Sequence, residues 1–173
     1  MTQELTDLRV SILEGRYSDA LAIVDELEGM SKKEILRKLK AFLKILIIHL
    51  IKNQVEQRLT NSWAASIRNS IRQIQEINLK ENKTSYYINS DGWEKLIEEE
   101  VIEDAIADAS EEVMNGQFTR SHLSEMLDRT QLFQIATRLL DLTYTHSPKE
   151  LPALIEQHLL QLPGGEDWLN RRQ

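Results

Sequence analysis

The chain has 173 residues and a mass of 20.1 kDa, the length of about one domain. It contains no Cys, which excludes disulfides, thiolate catalysis and thiolate metal sites, and its formal charge of −7 argues against nucleic-acid binding by the chain as a whole. Six Gly and three Pro are too few for a turn-rich β architecture.

Leu5, Leu8, Ile12 and Leu13 recur at helical spacing, and Gly15 is placed to stop that helix. A second short helix is expected over 17–28, with Leu21, Val24 and Leu27 on its apolar side and Gly29 closing it. Ser31-Lys-Lys-Glu34 has the form of a capping box, flanked by Met30 and Ile35 as a hydrophobic staple. It opens a central helix expected over about 31–57, some 40 Å long, apolar nearly all round between Phe42 and Ile51. Thr60-Asn61-Ser62 caps a helix carrying Trp63, Ile67, Ile71 (or Ile74) and Ile77, and 78–92 reads as a loop. Ser90 or Asp91 is expected to cap the next helix, whose core side is Trp93, Ile97, Val101, Ala105 and Ala109, with Ile102 and Ile106 beside them.

Short helices follow over 119–128 and 131–142. Another begins at Ser147-Pro148 or at Pro152 and ends at Pro163-Gly-Gly. The apolar positions of 129–162 are expected to fold onto 1–128 or to pair with a second copy, with 164–173 a poorly held end. No strand shows clean alternation. The expectation is an all-α fold: one helical bundle of seven or eight helices in a single domain, 1–128 forming the body and 129–173 a C-terminal extension. Met1 to Ile12 carries Glu4 and Asp7 and no apolar run, so it does not read as a signal peptide. Leu39–Ile51, with Lys40, Lys44 and His49 inside it, is shorter than the roughly 20 residues a span needs. No membrane association and a cytoplasmic location are expected.

Charge is segregated. Residues 31–83 hold 12 Lys or Arg against 4 Asp or Glu, whereas 90–112 hold 10 Asp or Glu and one Lys. The acidic helix is expected to lie against the basic segment. The competing expectation is a basic face open to nucleic acid, with Arg68 and Arg72 one turn apart near Trp63.

The runs Glu26-Leu-Glu-Gly-Met-Ser-Lys-Lys-Glu34, His49-Leu-Ile-Lys-Asn-Gln54 and Ser62-Trp-Ala-Ala-Ser-Ile67 resemble a bacterial family of unknown function, number twenty-nine, abundant in cyanobacteria. Its pattern is His-Leu-x-Lys-x-Gln followed by Ser-Trp-x-x-Ser/Thr-Ile. His49, Leu50, Lys52, Gln54, Ser62, Trp63, Ser66 and Ile67 match it, and the resemblance covers about 1–128. Ala64 and Ile71 stand where members often carry Arg, and Asn53 where an aromatic is common; the family's aromatic-acidic lead-in is absent. The resemblance implies an all-helical fold and a bacterial origin, and it carries no activity with it.

The remaining constellations are incomplete as chemical sites. Glu100, Glu103, Asp104, Asp108 and Glu111 share helix faces, as in helical pyrophosphatases that hold Mg²⁺, but a second acidic helix to complete the ligand set is not apparent. No Glu is followed three residues later by His, as di-iron bundles require; His122-x-x-Glu125 runs in reverse. Arg138 and His146 are spaced too widely for a helical-ribonuclease motif. His49 reads as a core or interface histidine, Trp63 as a packing anchor, and Tyr86-Tyr87 as the aromatic pair best placed for exposed contact. No catalytic, cofactor or metal residue is assigned. The expectation is a non-enzymatic protein-interaction or structural module, with a homodimer slightly favoured and the C-terminal helices contributing. His49, Lys52, Gln54, Ser62, Trp63, Arg68 and Arg72 are the candidate interaction or motif positions. A nucleic-acid module on 31–83, in a defence or toxin–antitoxin setting, is the alternative, and a carboxylate-metal hydrolase on 93–112 a weaker one.

Overall fold

The computed structural model describes residues 2–172. It is all-α: among the described residues there are eight helical segments once 93–112, interrupted by a single π turn, is counted as one. Two compact units are present, one up to Lys38 and one from Leu39 onward.

In the first unit, α1 (Thr2–Leu13) ends at a turn where Gly15 takes φ +73°, a left-handed conformation that suits Gly. Helix α2 (Tyr17–Glu56) starts immediately after it. Burial at Leu8 and Ser11 on one side of the turn matches burial at Ala20, Ile23, Val24 and Leu27 on the other, as in an antiparallel hairpin. Arg16 ties the turn by bonding the carboxylates of Glu14 and Asp19, at 2.8 and 3.1 Å.

The separate helices expected over 17–28 and 31–57 are one helix here. Gly29 does not close the first, and Ser31 does not cap the second, because helical backbone hydrogen bonding continues through both. Glu34, instead of reaching back to a cap, pairs with Arg37 at 2.5 Å. Gly29 is a helix-interior residue with nothing within 4 Å of a Cβ placed on it. Gly29→Ala is therefore expected to raise stability by about 0.5–1 kcal/mol, measured as a higher urea midpoint at constant slope.

The second unit is built on 39–56 of α2. Leu39, Leu43, Leu46, Ile47, Leu50 and Ile51 are all fully buried. Helix α3 (Asn61–Asn78) is capped by Thr60, whose Oγ1 accepts from Trp63 N at 3.1 Å, and it buries Trp63, Ile67, Ile71 and Ile74. Helix α4 (Trp93–Leu96) passes through a π turn at Ile97–Val101 into α5 (Ile102–Glu112). The extra residue of the π turn rotates the stripe, so Val101 and Ile102 are both buried and Ile106 and Ala109 continue the face. Ser90 does not cap this helix as expected; its hydroxyl donates to Asp141 at 2.8 Å.

Met114 and Asn115 in left-handed conformations and Gly116 at φ +76° end the run. Helix α6 (Arg120–Met126) is capped by Thr119 and α7 (Arg129–Thr145) by Asp128. Helix α8 (Leu151–Leu160) carries Pro152 in its first turn, the later of the two expected starts. Of the 164–173 segment, residues 164–172 are not loosely held, and Gln173 lies outside the described residues. Helix α9 (Gly165–Arg171) buries Trp168, whose Nε1 donates to Asn61 at 2.8 Å, and Arg171 donates to Leu59 O at 2.9 Å. Leu132, Ala136, Leu139, Ile155 and Leu159 are buried within this unit, so the apolar stripe of α7 and α8 is consumed internally. No helix among the described residues is long and apolar enough to cross a membrane.

Candidate functional site

The last turns of α2 concentrate polar side chains in an apolar stretch. Lys52 is only 8% exposed. Its ammonium pairs with Glu112 on α5 and lies 5.3 Å from the Trp63 ring centre. Arg58 lies 4.7 Å from the same ring and bonds Glu56 at 3.0 Å, so the indole holds two cations. The mostly buried carboxylate of Glu56 also accepts from Met114 N at 3.4 Å, next to the left-handed residues that end α5. Gln54 makes a two-point contact with Asp128: its Oε1 accepts from Asp128 N at 2.9 Å and its Nε2 donates to Asp128 O at 3.1 Å. Asp128 in turn caps α7 through Gln131 N. His49 bonds Ile45 O at 2.8 Å, and burial holds its pKa below the ordinary value, favouring the neutral ring.

The chain matches the model of a family described as Domain of unknown function DUF29 over residues 14–129. The chain belongs to this family. No curated protein and no solved structure matches it.

In this DUF29 chain the motif positions sort into two groups. Lys52 and Trp63 are brought together, Lys52 tying α2 to α5, and Gln54 separately ties α2 to the start of α7. Ser62 stays at the exposed start of α3, its hydroxyl 3.3 Å from that of Thr60. Arg68 and Arg72 lie further along α3, outside that cluster, and neither takes part in an ion pair among the described residues. The departures from the pattern have physical reasons. Ala64 and Ile71 are fully buried, where an arginine would carry an unpaired charge inward. Asn53, also buried, donates to Arg58 O at 3.0 Å and to Pro163 O at 2.8 Å, and Pro163 lies beyond the matched span.

The acidic helix meets the basic segment, as expected. Glu100 pairs with Lys40 at 3.5 Å, Asp108 with Lys44 at 2.9 Å, and Glu112 with Lys52. Those carboxylates are engaged with lysines, and no group of three or more His, Asp or Glu among the described residues is placed to hold a metal ion.

The second constellation was only half legible. A cavity of about 430 Å³ opens between α3 and the end of α7, lined by Arg72, Gln75, Glu76, Tyr86, Tyr144 and His146 among others. Tyr86 and Tyr87 are not freely exposed. Tyr86 packs edge-on against Tyr144, with ring centres 4.6 Å apart, and Lys80 lies 5.4 Å from the Tyr87 ring. The Tyr144 hydroxyl donates to Ile88 O at 2.6 Å and accepts from Trp93 Nε1 at 2.6 Å and Asn78 Nδ2 at 3.2 Å.

Burial pushes the Tyr144 pKa up to about 12, against the two hydrogen bonds that would lower it. The fold therefore favours the neutral phenol, and this contribution to stability is complete below pH 10 and lost as pH rises through about 12. Ultraviolet titration is expected to show one of the four tyrosines ionising near pH 12, and Tyr144→Phe to remove that step.

Proposed function

We propose that this DUF29 chain is a non-enzymatic protein-interaction module of the cytoplasm that pairs with a second copy of itself through its N-terminal hairpin. One observation carries the reading: Leu5, Ile12, Tyr17 and Leu21 are all exposed, Tyr17 and Leu21 by about two-thirds. Leu5 and Ile12 lie to one side of the buried Leu8–Ser11 line. Helical geometry puts Tyr17 and Leu21 to the same side of the Ala20–Leu27 line when the helices run antiparallel. A two-helix hairpin with an apolar flank is half of a four-helix arrangement, and a second hairpin completes it.

Charge favours an identical partner. Along α2, Asp19, Asp25, Glu26 and Glu28 are followed by Lys32, Lys33, Arg37 and Lys38. Such a helix is complementary to an antiparallel copy of itself, as a two-fold interface requires. Light scattering behind a sizing column tests this. The expected mass is about twice the 20.1 kDa chain, falling towards one chain as salt is raised. The double change Tyr17→Ser, Leu21→Ser is expected to give the single-chain mass with the helical circular-dichroism signal retained and the melting temperature no longer dependent on protein concentration. A single-chain mass for the wild type at low salt and tens of micromolar overturns the reading.

The nucleic-acid reading is supported by Arg68 and Arg72, which lie one turn apart without ion-pair partners among the described residues, whereas Lys40, Lys44 and Lys52 are engaged. Filter binding across a salt series tests it. Retention of RNA or DNA that weakens with salt and is lost in Arg68→Gln, Arg72→Gln supports it, and no retention at low salt removes it.

A further inference from the structure

We propose that the cavity between α3 and the end of α7 binds a mononucleotide-like molecule: a planar nitrogen heterocycle against Tyr86, bearing an anionic group that Arg72 holds. This goes beyond the pairing of hairpins and does not depend on it. The cavity, about 430 Å³, lies in the size range of small-ligand sites, roughly 300–1,000 Å³. Arg72, Gln75, Glu76 and Leu79 fall at i, i+3, i+4 and i+7, so one face of α3 supplies its first wall. Tyr86 and Tyr144 supply the second.

That second wall is rigid. The Tyr144 hydroxyl is fixed by three hydrogen bonds to separate chain segments, and Tyr86 is held edge-on against the Tyr144 ring while itself half-buried. The α3 side is fixed as well. Gln75 donates both Nε2 hydrogens, to Thr143 O at 3.2 Å and to His146 O at 2.8 Å, satisfying carbonyls at the end of α7 that the helix leaves open.

The polar groups left over define the ligand. Gln75 Oε1 accepts nothing among the described residues, and neither the Glu76 carboxylate nor the Arg72 guanidinium has a side-chain partner there. Two acceptors call for N–H donors, the guanidinium calls for an anion, and Tyr86 offers an aromatic contact. Inorganic phosphate satisfies only Arg72, and an aromatic hydrocarbon only Tyr86. A nucleobase with an attached phosphate satisfies all of them, with the N–H groups of an exocyclic amine, as in adenine, turned to Gln75 and Glu76.

Calorimetric titration of the full chain with adenosine 5′-monophosphate, adenosine and inorganic phosphate tests this. The monophosphate is expected to bind saturably at one site per chain, adenosine about tenfold or more weakly, and phosphate not measurably, the difference being one charge-assisted arginine contact. Arg72→Gln is expected to bring the monophosphate down to the adenosine level and to leave adenosine binding and the melting temperature unchanged, because Arg72 is exposed. Tyr86→Leu is expected to weaken the monophosphate and adenosine alike. Absence of saturable monophosphate binding at millimolar concentration overturns the proposal. So does monophosphate binding that Arg72→Gln leaves intact, or binding of a ten-nucleotide single strand by a protein that ignores the mononucleotide.

Discussion

Replacing Leu46 by Ala is expected to lower stability by about 2–5 kcal/mol, the range for truncating a fully buried leucine. Leu46 is the middle of the apolar stretch of α2, fully buried in company with Leu43, Ile47 and Leu50. Helix propensity cannot rescue the change, because Ala gains only a few tenths of a kcal/mol over Leu. For a chain of this length the melting temperature is expected to fall by roughly 5–15 °C. Ile45, one residue away and 37% exposed, is the control: Ile45→Ala is expected to move the midpoint far less. A shift of only a degree for Leu46→Ala would mean that the core is not organised around α2.

The second large effect is expected at Gly164. This residue has φ +73°, and a Cβ built on it would sit 2.7 Å from Arg58 Cα and 3.1 Å from both Gln57 O and Leu59 N. All three obstacles are backbone, so no side-chain rotation relieves them. Gly164→Ala combines left-handed strain of about 1–2 kcal/mol with overpacking of about 1–3 kcal/mol. The expected loss is roughly 2–5 kcal/mol, together with release of Trp168 from Asn61, read as a red shift of tryptophan emission. Gly29→Ala is the same chemical change with the opposite expected sign, because that site is open and helical. If Gly164→Ala matched the wild type in a urea titration, the close approach of 164 to the α2–α3 turn would be refuted.

Much of the fold was legible because apolar spacing is a strong signal. The stripes of α3 and of 93–112, the Gly15 turn, the cap at Thr60 and the meeting of the acidic helix with the basic segment all follow from residue type and interval. Legibility failed where two local signals competed. Gly29 with Ser31-x-x-Glu34 is a good stop followed by a good start, yet the helix runs on through 28–34 although that stretch is exposed; its other residues tolerate helix, and the Gly costs only about 1 kcal/mol. The 164–173 end looked weak because its anchors are single residues. Trp168, Arg171 and Gly164 find partners at Asn61, Leu59 and Arg58, more than 100 positions away, which no local pattern encodes.

At the candidate site, Lys52, Gln54 and Trp63 could be named from motif spacing, but their roles as internal ties could not. In the sequence Asn53 stands out only as a departure from the family pattern, and Glu56 and Asn78 do not stand out as buried; the three share one faint signal, a polar side chain that helical periodicity places on a buried face. Arg72 and Tyr86 were both singled out, for different reasons. That they border one cavity depends on Tyr144 and His146, which sit at the end of a helix whose boundary was expected three residues earlier.

Lys52, Asn53, Gln54 and Glu56 reach Glu112, Pro163, Asp128 and Met114, at separations of 60, 110, 74 and 58 residues. Each of these contacts closes a long loop, so each forms only after most of the chain is available and after the local helices exist. During synthesis the end of α2 therefore emerges with its polar side chains unsatisfied and its leucines uncovered. Its contacts become available in steps, Glu112 and Met114 first, then Asp128, and Pro163 last, so Asn53 is the residue that waits longest for its partner.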